Sequence, residues 1–181
     1  MKQTYQYLTP LQTHNNSHLF EDAHPHDGSN RIFIAGVPRC GSTLLESILA
    51  TNPCLKDLGE TTALAQAVYS ISENTNRENK HNLCKLYDEQ VAITVPDNHS
   101  RAIDKNLYNF INVLHIARST PSGKIIHCNR HPLGNILSML RAQLVLGNNY
   151  TSDNADAATA IVMQEQTFSE QRQTIPIKYS R

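Results

Sequence analysis

Apolar residues fall in short blocks whose spacing switches between two periods. "RIFIAGV" (Arg31–Val37) is a nearly continuous, β-rich apolar run ending at glycine, the pattern of a buried parallel strand. Immediately after it, Leu44, Leu45, Ile48 and Leu49 recur at helical spacing, and Asn52-Pro53 ends that helix. "TTALAQAVYSI" (Thr61–Ile71) predicts a second helix with Thr61 or Thr62 as its cap, and Leu83–Ile93 a third. "RAIDK" (Arg101–Lys105) reads as a short strand. Leu107–Ser119 carries helical spacing at Phe110, Val113, Leu114 and Ala117. Pro121-Ser122-Gly123 is a turn, Lys124–Arg130 a strand, and Pro132–Leu146 a helix with proline in its first turn. A last helix is expected over Ala155–Glu170 and a final strand over Ile175–Tyr179. Strands alternating with helices predict an α/β fold with a mostly parallel sheet. Residues 1–30 are polar and without periodicity, and read as a loosely structured lead-in. Ser72–Asn82 reads as a surface loop, and residues 31–181 form the α/β domain.

Composition narrows the partners. A chain of 181 residues suits one domain and buries roughly 70% of its unfolded surface. Lys+Arg and Asp+Glu are both 16, so no global field favours nucleic acid or a membrane, and any anion site must be local. The lack of Trp and an aromatic content of 6% argue against a base-stacking platform. The cysteines Cys40, Cys54, Cys84 and Cys128 form no C-x-x-C pair, the start has no apolar leader segment, and no run is long enough to span a bilayer. The expectation is a soluble, cytoplasmic protein with free thiols.

The chemistry concentrates at Gly36-Val37-Pro38-Arg39-Cys40-Gly41-Ser42-Thr43. Strand, glycine-rich loop and helix place backbone N–H groups and a helix N-terminus around an anion. The nucleotide-binding pattern G-x-x-x-x-G-K-[ST] has lysine where this chain has Ser42. Arg39 is the candidate charge inside the loop, with Ser42 and Thr43 as hydroxyl donors. A ligand-free strand–turn–helix junction fits the same stretch. So does a degenerate nucleotide triphosphatase, for which Asp97 or Asp104 would have to hold Mg²⁺. His24-Pro25-His26-Asp27 and the His81/Cys84 pair lack the further ligands a metal site needs, and no metal is expected. His127 and Cys128 alternate on a strand as core and pocket-lining residues.

The loop Pro38–Leu44 resembles the phosphosulfate-binding loop of sulfotransferases that use 3′-phosphoadenosine 5′-phosphosulfate, which commonly reads P-R-S-G-T-T-L. "KIIHCNRHPLGNILSM" is similar to the family's 3′-phosphate segment, with Arg130 and Ser138 keeping its arginine-to-serine spacing. "DKNLYNF" (Asp104–Phe110) resembles a stretch of the bacterial sulfotransferase domains fused to tetratricopeptide repeats. "LGETTAL" (Leu58–Leu64) resembles the G-E segment of tyrosylprotein sulfotransferases. The four motifs occur in family order over roughly residues 31–153.

The resemblance implies a three-layer αβα P-loop-type fold and sulfuryl transfer to a hydroxyl or amine by in-line displacement. Glu60 would be the base, Lys105 would act at the bridging oxygen or sulfuryl group, and Arg39 at the 5′-phosphosulfate. Pro38, Cys40, Gly41, Ser42, Thr43 and Leu44 would complete the loop. Arg130 and Ser138 would grip the 3′-phosphate, and Tyr179 would be a weak match to a nucleotide-holding tyrosine. The acceptor would be a small molecule or a peptide, met by Ala63–Asn98 and Leu146–Asp153. There are departures. Cys40 stands for a serine, Arg130-His131-Pro132 replaces R-D-P, and the basic segment that follows in the family is missing after "IPIKYSR". A C-terminally shortened domain is therefore expected, with a homo-oligomer or another partner to complete it. A non-catalytic nucleotide-binding or assembly protein is the alternative, and a P-loop kinase or hydrolase comes third.

Overall fold

The computed structural model describes residues 31–73, 82–94, 101–120, 122–142, 144 and 148–174. Four strands, β1 (Arg31–Gly36), β2 (Leu55–Asp57), β3 (Arg101–Asp104) and β4 (Lys124–Cys128), form one sheet in the order β2-β3-β1-β4. Every pairing is parallel. The sheet is flanked by helices α1 (Ser42–Leu49), α2 (Ala63–Glu73), α3 (Leu83–Thr94), α4 (Val113–Ser119), α5 (Pro132–Ala142) and α6 (Asn154–Thr174). This is the α/β architecture the alternating pattern predicts.

Strand β1 lies between β3 and β4, so Phe33 sits opposite both Asp104 and Ile125. Burial on both faces explains why its sequence reads as a continuous apolar run. Phe33 packs with Leu64, Ala67 and Ile71 of α2, Leu83 and Tyr87 of α3, and Ile116 of α4. Two residues on, Ala35 joins Phe110, Val113 and Phe168 of α6. Fully burying each large apolar side chain contributes about 1.5–3 kcal/mol, and here that burial fixes the strand whose carboxyl end opens the loop. Arg31 Nε donates to Asp88 Oδ1 at 2.8 Å and ties β1 to α3.

The structure departs from the pattern in four places. Strand β2 is too short and polar to be legible. It is an edge strand defined by its neighbours, with Arg101 N–H donating to Cys54 O and Leu58 N–H to Ile103 O, both at 2.9 Å. The segment Leu107–Ser119 is not one helix. Leu107–Asn112 is a 3₁₀ turn that Asn106 caps by accepting from Tyr108 N–H at 3.0 Å, and α4 follows. Helix α5 ends at Ala142, and α6 runs on to Thr174.

The fourth departure is α1, whose buried residues are Ser42 and Glu46, while Leu44 and Ile48 are 68% and 58% exposed. The polar side of this helix faces inward. Thr61 acts as expected at the start of α2, its hydroxyl accepting from Ala63 N–H at 3.2 Å. All four thiols are free. Among the described residues no helix is long and apolar enough to cross a membrane. The lead-in, His81 and the expected strand Ile175–Tyr179 lie outside the described residues.

Candidate active site

The loop after β1 is shaped by three backbone positions. A Cβ on Gly36 would lie 2.7 Å from Cys40 Sγ and 2.8 Å from Cys128 O, so only glycine lets the loop fold back against β4. Gly41 has φ 106°, and Arg39 has φ 67°, in the left-handed region that non-glycine residues rarely enter. Strained backbone of this kind clusters at ligand sites, and left-handed residues spaced along a loop form anion-binding concavities. Buried Asn135 of α5 donates to Pro38 O at 2.9 Å, and Cys40 N–H donates to Val37 O at 3.2 Å. Cys40 itself is buried behind the loop. Hydrogen bonding from the Cys128 thiol draws Cys40 down to about 6 against the opposing effect of burial, and Ser42 adds to the fall.

A cavity of about 540 Å³ opens above the carboxyl ends of the strands, where open α/β sheets bind ligands. Pro38, Arg39, Gly41, Ser42, Thr43, Glu60 and Arg130 all line it. Arg39 Nε donates to Ser138 Oγ at 3.2 Å, and Arg130 Nη1 approaches Arg39 O at 3.4 Å. The two arginines line the cavity beside the N-terminus of α1, and Ser138 of α5, outside the lining, is joined to them through Arg39. Two guanidinium groups, hydroxyls and a helix N-terminus make a donor set suited to phosphate and sulfate oxygens. Its size suits a nucleotide-sized ligand.

Behind that lining lies a charged cluster. Lys105 follows β3 and is buried, only 7% exposed. Its Nζ lies 3.1 Å from Glu46 Oε2 and 3.3 Å from Glu60 Oε1. Burial works to lower the Lys105 pKa, but Glu46 first and Glu60 second carry it above its ordinary value, so the ammonium stays charged at neutral pH. Glu46 is raised to about 7, first by burial and then by the Asp57 carboxyl beside it, with Lys105 opposing. Asp57 moves the other way, lowered first by its hydrogen bond with Glu46, while Gly59 N–H donates to it at 2.6 Å.

Not every expected residue joins the site. The Leu44 side chain points outward, which leaves its backbone N–H, the group expected to donate, at the start of α1. Asp104, the candidate Mg²⁺ ligand of the triphosphatase reading, is fully buried and structural. It accepts from Tyr87 Oη at 3.1 Å, Asn109 Nδ2 at 2.9 Å and Asn106 N–H at 3.1 Å, and burial pushes it up to about 6 against those bonds. Asp97 and Tyr179 lie outside the described residues. His127 stacks on Phe168 at 3.8 Å and bonds Gln164 at 3.2 Å, a packing role away from the cavity. Among the described residues no group of His, Cys, Asp and Glu could hold a metal ion.

The far wall comes from Asn106, Leu107 and Tyr108, within the quoted stretch Asp104–Phe110, from Asn148 of the expected Leu146–Asp153 segment, and from Leu144, which lay in neither. Tyr108 Oη donates to Asn148 Oδ1 at 3.1 Å. The described part of Ala63–Asn98 instead lines a separate groove at Gln66, Tyr69 and Gln90. Glu46 was also missed. Its one legible signal is its place four residues after Ser42, one helical turn along the same face.

The strand–loop–helix unit and the parallel sheet define an α/β protein with a glycine-rich loop at a helix N-terminus and two arginines beside it. The sequence model of the sulfotransferase family matches residues 31–179, and the chain belongs to that family. Sulfuryl transfer is thus its class of reaction. A comparison with curated proteins gives no match.

Proposed function

We propose that this protein transfers a sulfuryl group from 3′-phosphoadenosine 5′-phosphosulfate to a hydroxyl or amine acceptor by in-line displacement. The observation that carries the reading is the convergence of Arg39, Arg130, Ser42, Thr43 and Glu60 on one cavity, with buried Lys105 paired to Glu60 behind the lining. The motifs favour the branch of the family that includes tyrosylprotein sulfotransferases and the tetratricopeptide-associated bacterial domains. The Leu107–Tyr108 wall suits an acceptor with an apolar or aromatic body, a small molecule or a peptide side chain.

When bound, the phosphosulfate supplies an activated sulfuryl group. Arg39 and the N–H groups at the start of α1 hold the 5′ end, while Arg130 and Ser138 hold the 3′-phosphate. Arginine suits this task because its planar fork engages phosphate oxygens bidentately. Glu60 takes the proton of the acceptor hydroxyl as its oxygen bonds to sulfur. The bond from sulfur to the bridging phosphate oxygen breaks, and the Lys105 ammonium stabilises the charge left on that oxygen. The transferring group carries less negative charge than a phosphoryl group, so these cations serve in place of Mg²⁺.

The test is transfer of labelled sulfate from the phosphosulfate to a panel of phenols, alcohols, amines and tyrosine peptides in chelator-treated buffer. Labelled product in the absence of divalent metal is the expected result. Release of phosphate from ATP only when Mg²⁺ is present, with no sulfated product, would overturn the reading.

A further inference from the structure

We propose that Glu46 is a proton-coupled positioning residue, holding the Lys105 ammonium beneath the cavity and taking up a proton when a polyanionic nucleotide binds above it. This inference rests on the donor site proposed above and adds a residue and a linkage to it.

The geometry is that of a buried carboxyl with two unlike partners. Glu46 is 5% exposed. Its Oε2 meets Lys105 Nζ at 3.1 Å, whereas its Oε1 is buried and meets no N–H or O–H donor. The carboxyl's other neighbour is the carboxyl of Asp57, which when ionised can only accept. Two adjacent carboxylates cannot comfortably both ionise, and a proton on Glu46 turns the clash into a hydrogen bond. In this arrangement burial and the Asp57 carboxyl raise Glu46 to about 7, while Asp57 is lowered by its hydrogen bond with Glu46.

The charged surroundings are limited. On its own helix, Ser42–Leu49, Glu46 is the only titratable side chain. Asp57 faces it from the end of β2 and Lys105 from the end of β3, with Glu60 reached through Lys105 and Lys56 acting on Asp57. With all groups ionised, three carboxylates (Glu46, Asp57, Glu60) surround one ammonium, an unfavourable floor for a polyanion. Protonating Glu46 removes one negative charge. It also weakens the competitor for Lys105, whose three N–H donors can then serve an anion in the cavity. Phosphates arriving above Glu46 act as like charges and raise its pKa further, so binding draws in a proton. By linkage, affinity falls as pH rises through the free-protein value of about 7.

The experiment is calorimetric titration of the full chain with 3′-phosphoadenosine 5′-phosphate, without magnesium, near pH 7.5. It is run in two buffers of different ionisation enthalpy, Hepes and Tris. Phosphate monoesters titrate at about 6, so the nucleotide contributes little there. The heat difference between buffers reports protons taken up, expected to be a substantial fraction of one for the wild type. In Glu46→Gln, which keeps an oxygen for Lys105, the uptake should fall by at least about half while binding persists. In Asp57→Asn, which removes the neighbouring charge, the pH midpoint of binding should move down. Equal proton uptake in wild type and Glu46→Gln, or an unmoved midpoint in Asp57→Asn, overturns the inference and leaves the donor site standing. No binding heat to wild type at any pH overturns the donor site and the inference together.

Discussion

Lys105→Ala lowers the turnover of sulfuryl transfer by roughly 10²–10³-fold, the usual cost of removing a preorganised charge from the atom that becomes anionic. The effect falls mainly on kcat. Nucleotide affinity should drop far less, because in the proposed site Arg39, Arg130 and Ser138 would hold the phosphates without it. Steady-state kinetics beside calorimetric binding separates the two. The substitution also removes the one cation between Glu46 and Glu60, so thermal melting is measured in parallel and Lys105→Arg serves as the charge-preserving comparison. Recovery of most turnover in Lys105→Arg supports a charge role, and wild-type turnover in Lys105→Ala excludes it.

Glu60→Gln is expected to cost about 10²–10⁴-fold in kcat, the range for a positioned general base. Glu60 is well placed for that role. Its side chain is 68% exposed in the cavity, within reach of an incoming acceptor, and one oxygen is anchored 3.3 Å from Lys105 Nζ. Glutamine keeps the size and the anchor but cannot accept the proton. Nucleotide affinity should hold or improve, since one negative charge leaves the floor of an anion site. Turnover within a few-fold of wild type would reassign the base and leave Glu60 as a partner for Lys105.

The fold was legible in the sequence to the degree that local chemistry forced it, whereas the roles proposed for Lys105 and Glu60 came chiefly from the resemblance. β1 reads directly because a central parallel strand must be apolar on both faces, and the loop because Gly36 and Gly41 sit where a side chain would clash or strain the backbone. Arg130 and Ser138 entered through the resemblance to the family's 3′-phosphate segment. What stayed hidden depends on long-range partners. β2 is three residues of edge strand with no apolar signature of its own. Helix α1 carries apolar residues at helical spacing, which predicts an inward apolar stripe, yet the tertiary fold buries Ser42 and Glu46, leaves Leu45 and Leu49 half-buried and exposes Leu44 and Ile48. Glu46 could not be ranked above any other helical glutamate until Lys105 and Asp57 were seen against it. Tyr108 and Asn148 meet across the cavity only because the 3₁₀ turn at Leu107–Asn112 replaces the helix that periodicity suggested.

In the proposed site Arg39 and Arg130 bind the phosphosulfate nucleotide without a metal. Titration of 3′-phosphoadenosine 5′-phosphate into the wild type, Arg39→Ala and Arg130→Ala in magnesium-free buffer is the decisive measurement. Saturable binding to the wild type at one site is expected. Each variant should bind at least about 10-fold more weakly, since each loses charge-assisted bonds worth about 1.5–3 kcal/mol. Absence of binding, binding that requires Mg²⁺, or affinity unchanged in both variants would contradict the proposed site.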